Sequence, residues 1–166
     1  MQVFGLIGWQ DSGKTTLMVK LIPEIINRGH TVSSMKHTHH NFDIDKPGKD
    51  SFEHRRAGAA EVLVASGKRW ALMHELDNQD EPTMDELVKL MAPVDLLLVE
   101  GFKRDQHAKM EVHRSVTNKP LLCENDPTVV AVASDKALPH LNIPVLDIND
   151  VAAIADFVLG HCELEA

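Results

Sequence analysis

Cysteine is scarce. Cys123 and Cys162 are the only two, far apart and without the spacing of a metal-binding pair. One disulfide at most is open to the chain, and two scattered thiols suit a reducing cytosol better. Long apolar runs are missing too: none approaches the roughly 20 residues that span a bilayer. No basic stretch precedes the apolar residues of MQVFGLIG, so no signal peptide is expected and a cytoplasmic location is. Positive charge is short as well. The 17 Lys and Arg face 25 Asp and Glu, a formal net charge of -8. A protein that grips a nucleic-acid backbone presents a basic face, so neither that class nor a membrane protein is expected. A small anionic ligand survives this argument, because local amides and one lysine hold phosphate on an acidic protein. Repeats, low-complexity tracts and Pro/Ser linkers are also wanting. Residues 1–166 therefore read as one domain, and 43% hydrophobic with 25% charged residues is a soluble globular balance.

What is present alternates strand and helix. VFGLI (3–7) reads as a short buried strand. From residue 14 to 28, Leu17, Met18, Leu21, Ile22, Ile25 and Ile26 form a helical stripe that stops at Gly29, with a kink expected at Pro23. TVSSMK (31–36) reads as a second strand and the polar segment 37–50 as a loop. Asp50 with Glu53 resembles a capping box opening a helix to about residue 60, and Thr83 with Glu86 a second, to about residue 91. VLVAS and RWALMHE around Gly67-Lys68 predict a hairpin, in which Trp70 and Met73 form an apolar strip of the kind that is ordinarily core. VDLLLVE (94–100) has the continuous apolar character of a strand covered on both faces, as does TVVAVAS (128–134). AKMEVHR alternates weakly and reads as an edge strand. VLDI leads through Asn149, an N-cap, into a last helix stopping at Gly160. The fold class expected is α/β, three layers with a mainly parallel sheet and a small hairpin extension. The pattern G-x-x-x-x-G-K-[ST] at residues 8–15 makes the expected fold that of a P-loop NTPase.

The chemistry sits in GLIGWQDSGKTTL, residues 5–17. Gly8, Gly13, Lys14 and Thr15 satisfy G-x-x-x-x-G-K-[ST], in the strand, loop and helix order that the motif requires. The glycines let backbone N–H groups converge into a nest for a β-phosphate, and the helix adds its positive end. Lys14 is expected to reach the β- and γ-phosphates and to stabilise transition-state charge, while the Thr15 hydroxyl binds Mg²⁺. Glu100, at the carboxyl end of its strand, is the expected second metal-side group, acting through a coordinated water. Asp95 lies at the wrong end of the same strand.

Guanine presents two adjacent donors that one carboxylate accepts together. The usual Asn-Lys-x-Asp signature is missing, and NKPL (118–121) is a decoy because Leu121 accepts nothing. Asp135, directly after VVAVAS, is the base-reading candidate. Three readings of the histidine loop stay open: His37, His39 and His40 with Asp43 and Asp45 bind a transition metal, or face a ligand or partner near the γ-phosphate, or are solvated. Lys46, Lys49, Arg55 and Arg56 either offset the acidic surface for an anion or serve solubility. Trp9 either covers a phosphate or nucleoside or packs on the surface.

Taken together, these residues resemble a known family, the molybdopterin-guanine dinucleotide biosynthesis adaptor protein B family. The likeness covers nearly the whole chain, in GWQDSGKTTL, KHTHHNFDIDKPGKDS, the RRAGA helix, VASGKRWALM, DLLLVEGFK, VAVASD and LDINDV…ADFV. It implies a dimeric GTP-binding protein with weak GTPase activity, assisting the guanylyltransferase that attaches GMP to molybdopterin. By position, Gly8, Trp9, Gln10, Asp11, Ser12, Gly13, Lys14, Thr15 and Thr16 would bind phosphates and Mg²⁺, and Glu100 would belong to the metal side. The segment 36–51 would lie near the nucleotide or the pterin product. Against some relatives the chain is shorter between Leu76 and Glu86 and around residues 116–122.

The residues also limit the chemistry. Fast hydrolysis requires a water-orienting residue and an arginine at the transition state. Gln10 lies inside the loop, and Arg104 is the arginine nearest the expected place in sequence. A slow GTPase is expected. Two other classes remain: a small-molecule kinase on the same loop, and a metallochaperone-type GTPase using the histidines.

Overall fold

The computed structural model of the protein describes residues 1–38 and 42–164. In chain order its elements are β1 (Gln2–Ile7), α1 (Lys14–Asn27), β2 (Val32–Lys36), α2 (Asp50–Arg56), β3 (Glu61–Ala65), β4 (Trp70–His74), α3 (Met84–Lys89), β5 (Leu96–Glu100), β6 (Lys109–His113), β7 (Val129–Ser134), β8 (Val145–Asp147) and α4 (Val151–His161). They fall into two compact units, Met1–His37 with Met91–Ala166, and Thr38–Leu90.

The first unit is built on one parallel sheet in the order β2-β5-β1-β6-β7-β8. Period-two alternation sorts its faces. Phe4, Leu6, Leu96, Leu98, Met110, Val112, Ala131 and Ala133 share one buried cluster with Leu17, Leu21 and Ile25 of α1 and Ile154, Ala155 and Val158 of α4. The parallel register sets Phe4 beside Leu98 and Leu6 beside Met110, which makes that layer continuous. The reverse face buries Leu97, Val99, Lys109, Glu111 and Val132. Strand order reverses at β1: the chain leaves β1 toward β2 on one side, while β6, β7 and β8 follow on the other. A crevice at the carboxyl ends of such strands is where α/β sheets take ligands.

Several expectations need correction. AKMEVHR is no edge strand; β6 lies between β1 and β7. Its polar positions misled the reading because they are buried and satisfied internally. Lys109 donates to the Asp105 carbonyl and the Thr128 hydroxyl, with Asp126 3.7 Å away. Glu111 accepts from the Leu122 and Cys123 amides. The Asp50 capping box does not form: Lys49 is the N-cap of α2 without a side-chain bond, and the helix ends at Arg56. Asp150 rather than Asn149 caps α4, accepting from the Ala153 amide at 3.0 Å. That helix also runs through Gly160 to His161. Burial of Leu159 and Cys162 offsets the roughly 1 kcal/mol that an interior helical glycine costs. α1 continues through Pro23 as a single element, whereas the Thr83–Glu86 capping box of α3 is present as expected.

In the second unit β3 and β4 pair antiparallel as the expected hairpin. Trp70 is not core there: it is 68% exposed, beside exposed Leu63, Val64 and Leu72. Arg55 offers no charge to an anion, because Asp43, Asp45 and Glu75 hold it at 2.6–2.9 Å. Cys123 and Cys162 are both free thiols, each pushed up to about 11, chiefly by burial.

Candidate functional site

The loop of residues 8–15 leaves β1 at the point where strand order reverses. Gly8 is required by space: a β-carbon there would lie 2.4 Å from the Val112 carbonyl oxygen and 2.6 Å from Ser12 Oγ. Gly13, at φ 94°, is the N-cap of α1 in a left-handed conformation, and no side chain caps the helix. The first-turn amides of α1 are consequently open, and the positive end of the helix faces the loop. Lys14 Nζ curls back to donate to the carbonyls of Gly8 at 3.1 Å and Trp9 at 2.8 Å. Its ammonium is held below its ordinary range mainly by burial, with Lys103 and Lys36 adding to the effect while Glu100 and Asp11 oppose it. Gln10, Asp11 and Thr16 are exposed, and Ser12 is buried in the loop.

Glu100 closes β5 beside this loop, and the structure brings Thr15 and Glu100 together. The Thr15 hydroxyl is 3.1 Å from both carboxylate oxygens, and Lys36 Nζ is 3.3 Å from Oε1. A hydroxyl and a carboxylate are hard oxygen donors, and the carboxylate already attracts a cation. That set fits Mg²⁺, which takes one or two protein oxygens and fills its remaining places with water and phosphate. Asp95 sits at the other end of β5, tied to the Thr31 hydroxyl and amide at 2.7 Å. His37 follows β2 and donates its amide to the Glu100 carbonyl at 2.9 Å, with its ring 4.7 Å from that of Phe102. His39 and His40 lie outside the described residues. Among the described residues no group of three or more His, Cys, Asp or Glu gathers as a metal set.

On the β6 side, Asp135 follows β7 and lines a cleft of about 270 Å³ with Ser134, Lys136, Ala137, Leu146 and Asp147. Its carboxylate accepts from the Ser115 amide at 2.9 Å and hydroxyl at 3.2 Å. The amide bond comes first among the influences that hold it below the usual carboxylate range, and Arg114 adds to them. Each oxygen keeps a lone pair for a further donor. Trp9 is anchored by Nε1 to the Pro120 carbonyl at 2.7 Å, and Lys103 and Lys119 lie 5.0 and 5.9 Å from its ring centre. Sequence reasoning missed three cations here: Lys36, Lys103 and Arg114. Arg104, the arginine it named, is exposed, whereas Arg114 lies against Gly13. Only the central position of β6 reveals this, and the misreading of β6 as an edge concealed it. The assembled groups can receive a polyanion along open amides and ammonium groups, with a hard cation on one flank.

Comparison with known proteins adds the family. The model described as molybdopterin guanine dinucleotide synthesis protein B matches residues 3–135. The molybdopterin-guanine dinucleotide biosynthesis adapter protein of Escherichia coli (strain K12) is 48% identical over 154 residues, 91% of this chain and 87% of that protein. Its counterpart in Haemophilus influenzae is 43% identical over 158 residues, 94% and 86% of the two chains. The fold is shared with Bacillus subtilis MobB (TM-score 0.77, 23% identity, covering 100% of this chain and 99% of that one). It is also shared with the MobB homolog from Bacillus stearothermophilus (TM-score 0.74, 25% identity, 98% and 99%). With the family model spanning residues 3–135 and such identity over most of its length, the chain belongs to the molybdopterin guanine dinucleotide synthesis protein B family.

Proposed function

We propose that this chain acts in molybdopterin guanine dinucleotide biosynthesis as a GTP-binding adapter that assists the guanylyltransferase attaching GMP to molybdopterin. The observation that carries the reading is the loop of residues 8–15. Open α1 amides, Lys14 folded over the loop and Thr15 set on Glu100 form a place for a triphosphate with Mg²⁺. In it, Gly8 to Thr16 cradle the phosphates, Thr15 binds the metal and Glu100 acts on its metal side through water. Asp135 takes the two donors of guanine in the cleft at β7 and β8. Hydrolysis is slow: Gln10 is exposed within the loop, and Arg104 is exposed as well. His37, which follows β2 and donates its amide to the Glu100 carbonyl, is the histidine placed to face the γ-phosphate.

The protein acts as a homodimer in the cytoplasm. A two-stranded hairpin is marginal by itself, and exposed Leu63, Val64, Trp70 and Leu72 on β3 and β4 support association. No described helix is long and apolar enough to cross a membrane.

Calorimetric titration with GTP and ATP in Mg²⁺ tests the core of this reading. Wild type binds GTP in preference to ATP, Lys14→Ala loses both, and Asp135→Ala loses the preference. Failure of wild type to bind either nucleotide refutes the reading, and an intact preference in Asp135→Ala refutes the base assignment. Fast multiple-turnover hydrolysis by the isolated chain contradicts the adapter role, and label passing from γ-labelled GTP to an acceptor other than water indicates a kinase.

A further inference from the structure

The positive end of a helix disfavours nearby cations, yet two meet at α1. Lys14 is its first residue, no acid occupies its first turn, and Arg114 comes in from the end of β6. A β-carbon placed on Gly13 would be 3.1 Å from Arg114 Nε and 3.8 Å from Nη2, so the guanidinium lies along the helix cap itself. Among the described residues no hydrogen bond or ion pair engages that guanidinium. In the same loop, Ser12 Oγ is buried with no hydrogen-bond partner, and Ser12 is 1% exposed. The loop therefore carries an arginine against the positive helix end, offset only at longer range by the Asp135 carboxylate. One residue before Gly13 it carries an unsatisfied buried hydroxyl, and both suit an anion bound at the loop.

The sheet says which part of the anion. Thr15 and Glu100 lie on the β5 side of β1, whereas Arg114 directly follows β6 and the Asp135 cleft lies beyond it at β7 and β8. A nucleotide running from the metal flank to that cleft crosses the end of β6 between its γ-phosphate and its base. We propose that Arg114 is a phosphate-binding residue for the α- and β-phosphates of a guanine nucleotide. The proposal rests on the guanine-nucleotide reading above and deepens it. Because GTP and GDP share those phosphates, the contact holds both. The arginine is thereby committed to the bound state instead of to the γ-phosphate in flight, which agrees with slow turnover.

The test is titration of GDP and of a non-hydrolysable GTP analogue in Mg²⁺ into wild type, Arg114→Gln and Arg114→Lys, with the thermal midpoint of each protein measured without nucleotide. A lost charge-assisted contact raises Kd about 10- to 100-fold. The expected result is that rise for GDP and the analogue alike in Arg114→Gln, with part of it recovered in Arg114→Lys. Unchanged GDP affinity in both variants overturns the proposal. So does a defect confined to the GTP analogue or to hydrolysis, which makes Arg114 a γ-phosphate contact. Should Arg114→Gln not fold, the GDP affinity of Arg114→Lys decides, since a lysine lacks the fork that spans two phosphates. If wild type takes neither nucleotide, the guanine reading fails before Arg114 is tested.

Discussion

Glu111 is the buried residue whose removal should reach the site from a distance. It is 0% exposed in the middle of the sheet, and its oxygens accept from the Leu122 amide at 2.9 and 3.0 Å and the Cys123 amide at 2.9 Å. Two residues earlier, the Pro120 carbonyl receives Trp9 Nε1. In Glu111→Ala two partly buried amides lose their acceptor, at about 1–3 kcal/mol each. Relief of a buried carboxylate's own desolvation offsets part of that cost. A net loss of about 2–4 kcal/mol is expected, and for a chain of this size that is roughly 5–15 °C in Tm. Glu111→Gln behaves differently: its amide oxygen, in the place of Oε2, still accepts from both amides. Its NH2, in the place of Oε1, turns one Leu122 contact into two facing donors, so charge and that contact are lost at about 1–2 kcal/mol. Urea unfolding of both variants measures the difference. In a Trp70→Phe background, which keeps an aromatic ring on the hairpin, fluorescence reports Trp9 alone, because the chain has two tryptophans. Glu111→Ala shifts that emission to the red as the 120–123 segment loosens, and Glu111→Gln leaves it in place. Equal stability of the two variants, or unmoved Trp9 emission in Glu111→Ala, refutes the argument.

Further outcomes follow from the same geometry. Gly8→Ala forces the Val112 carbonyl or Ser12 to move, since the added carbon meets them at 2.4 and 2.6 Å. A stability loss of about 1–3 kcal/mol is expected by denaturant titration, together with loss of GTP binding. Glu100→Gln should weaken GTP binding in Mg²⁺ and leave it unchanged in EDTA, and equal weakening in both removes Glu100 from the metal side. Asp95 is held below the ordinary 3.8 by the Thr31 hydroxyl and then by the Thr31 amide. A carboxylate with a depressed folded pKa stabilises fully above its unfolded value and ceases to as pH falls through the folded one. Wild type should therefore lose stability below about pH 4, and Asp95→Asn, less stable at neutral pH, should converge on it in acid.

Much of this was legible locally. A motif such as 8–15 is written in consecutive residues whose backbone needs are their own, so Gly8, Gly13, Lys14 and Thr15 could be placed without a partner. The α1 stripe and the apolar β5 and β7 likewise carry their periods within a few residues. Capping proved legible where side chain and amide were three apart, as at Thr83–Glu86. It failed at Asp50 and Asn149, where a one-residue change of helix start altered the partner.

β6 was misread for a deeper reason. Alternating Lys109 and Glu111 look solvated in a linear chain, and only distant residues, Asp126 with Thr128 and Leu122 with Cys123, turn those positions into buried ones. Once β6 moves from edge to centre, Arg114 comes with it to the cap of α1. Residue order along the chain determines which loop can welcome phosphate, because that loop's conformation is local. Which cations stand around it is decided by strand order alone, because parallel neighbours in a sheet are brought together across dozens of residues.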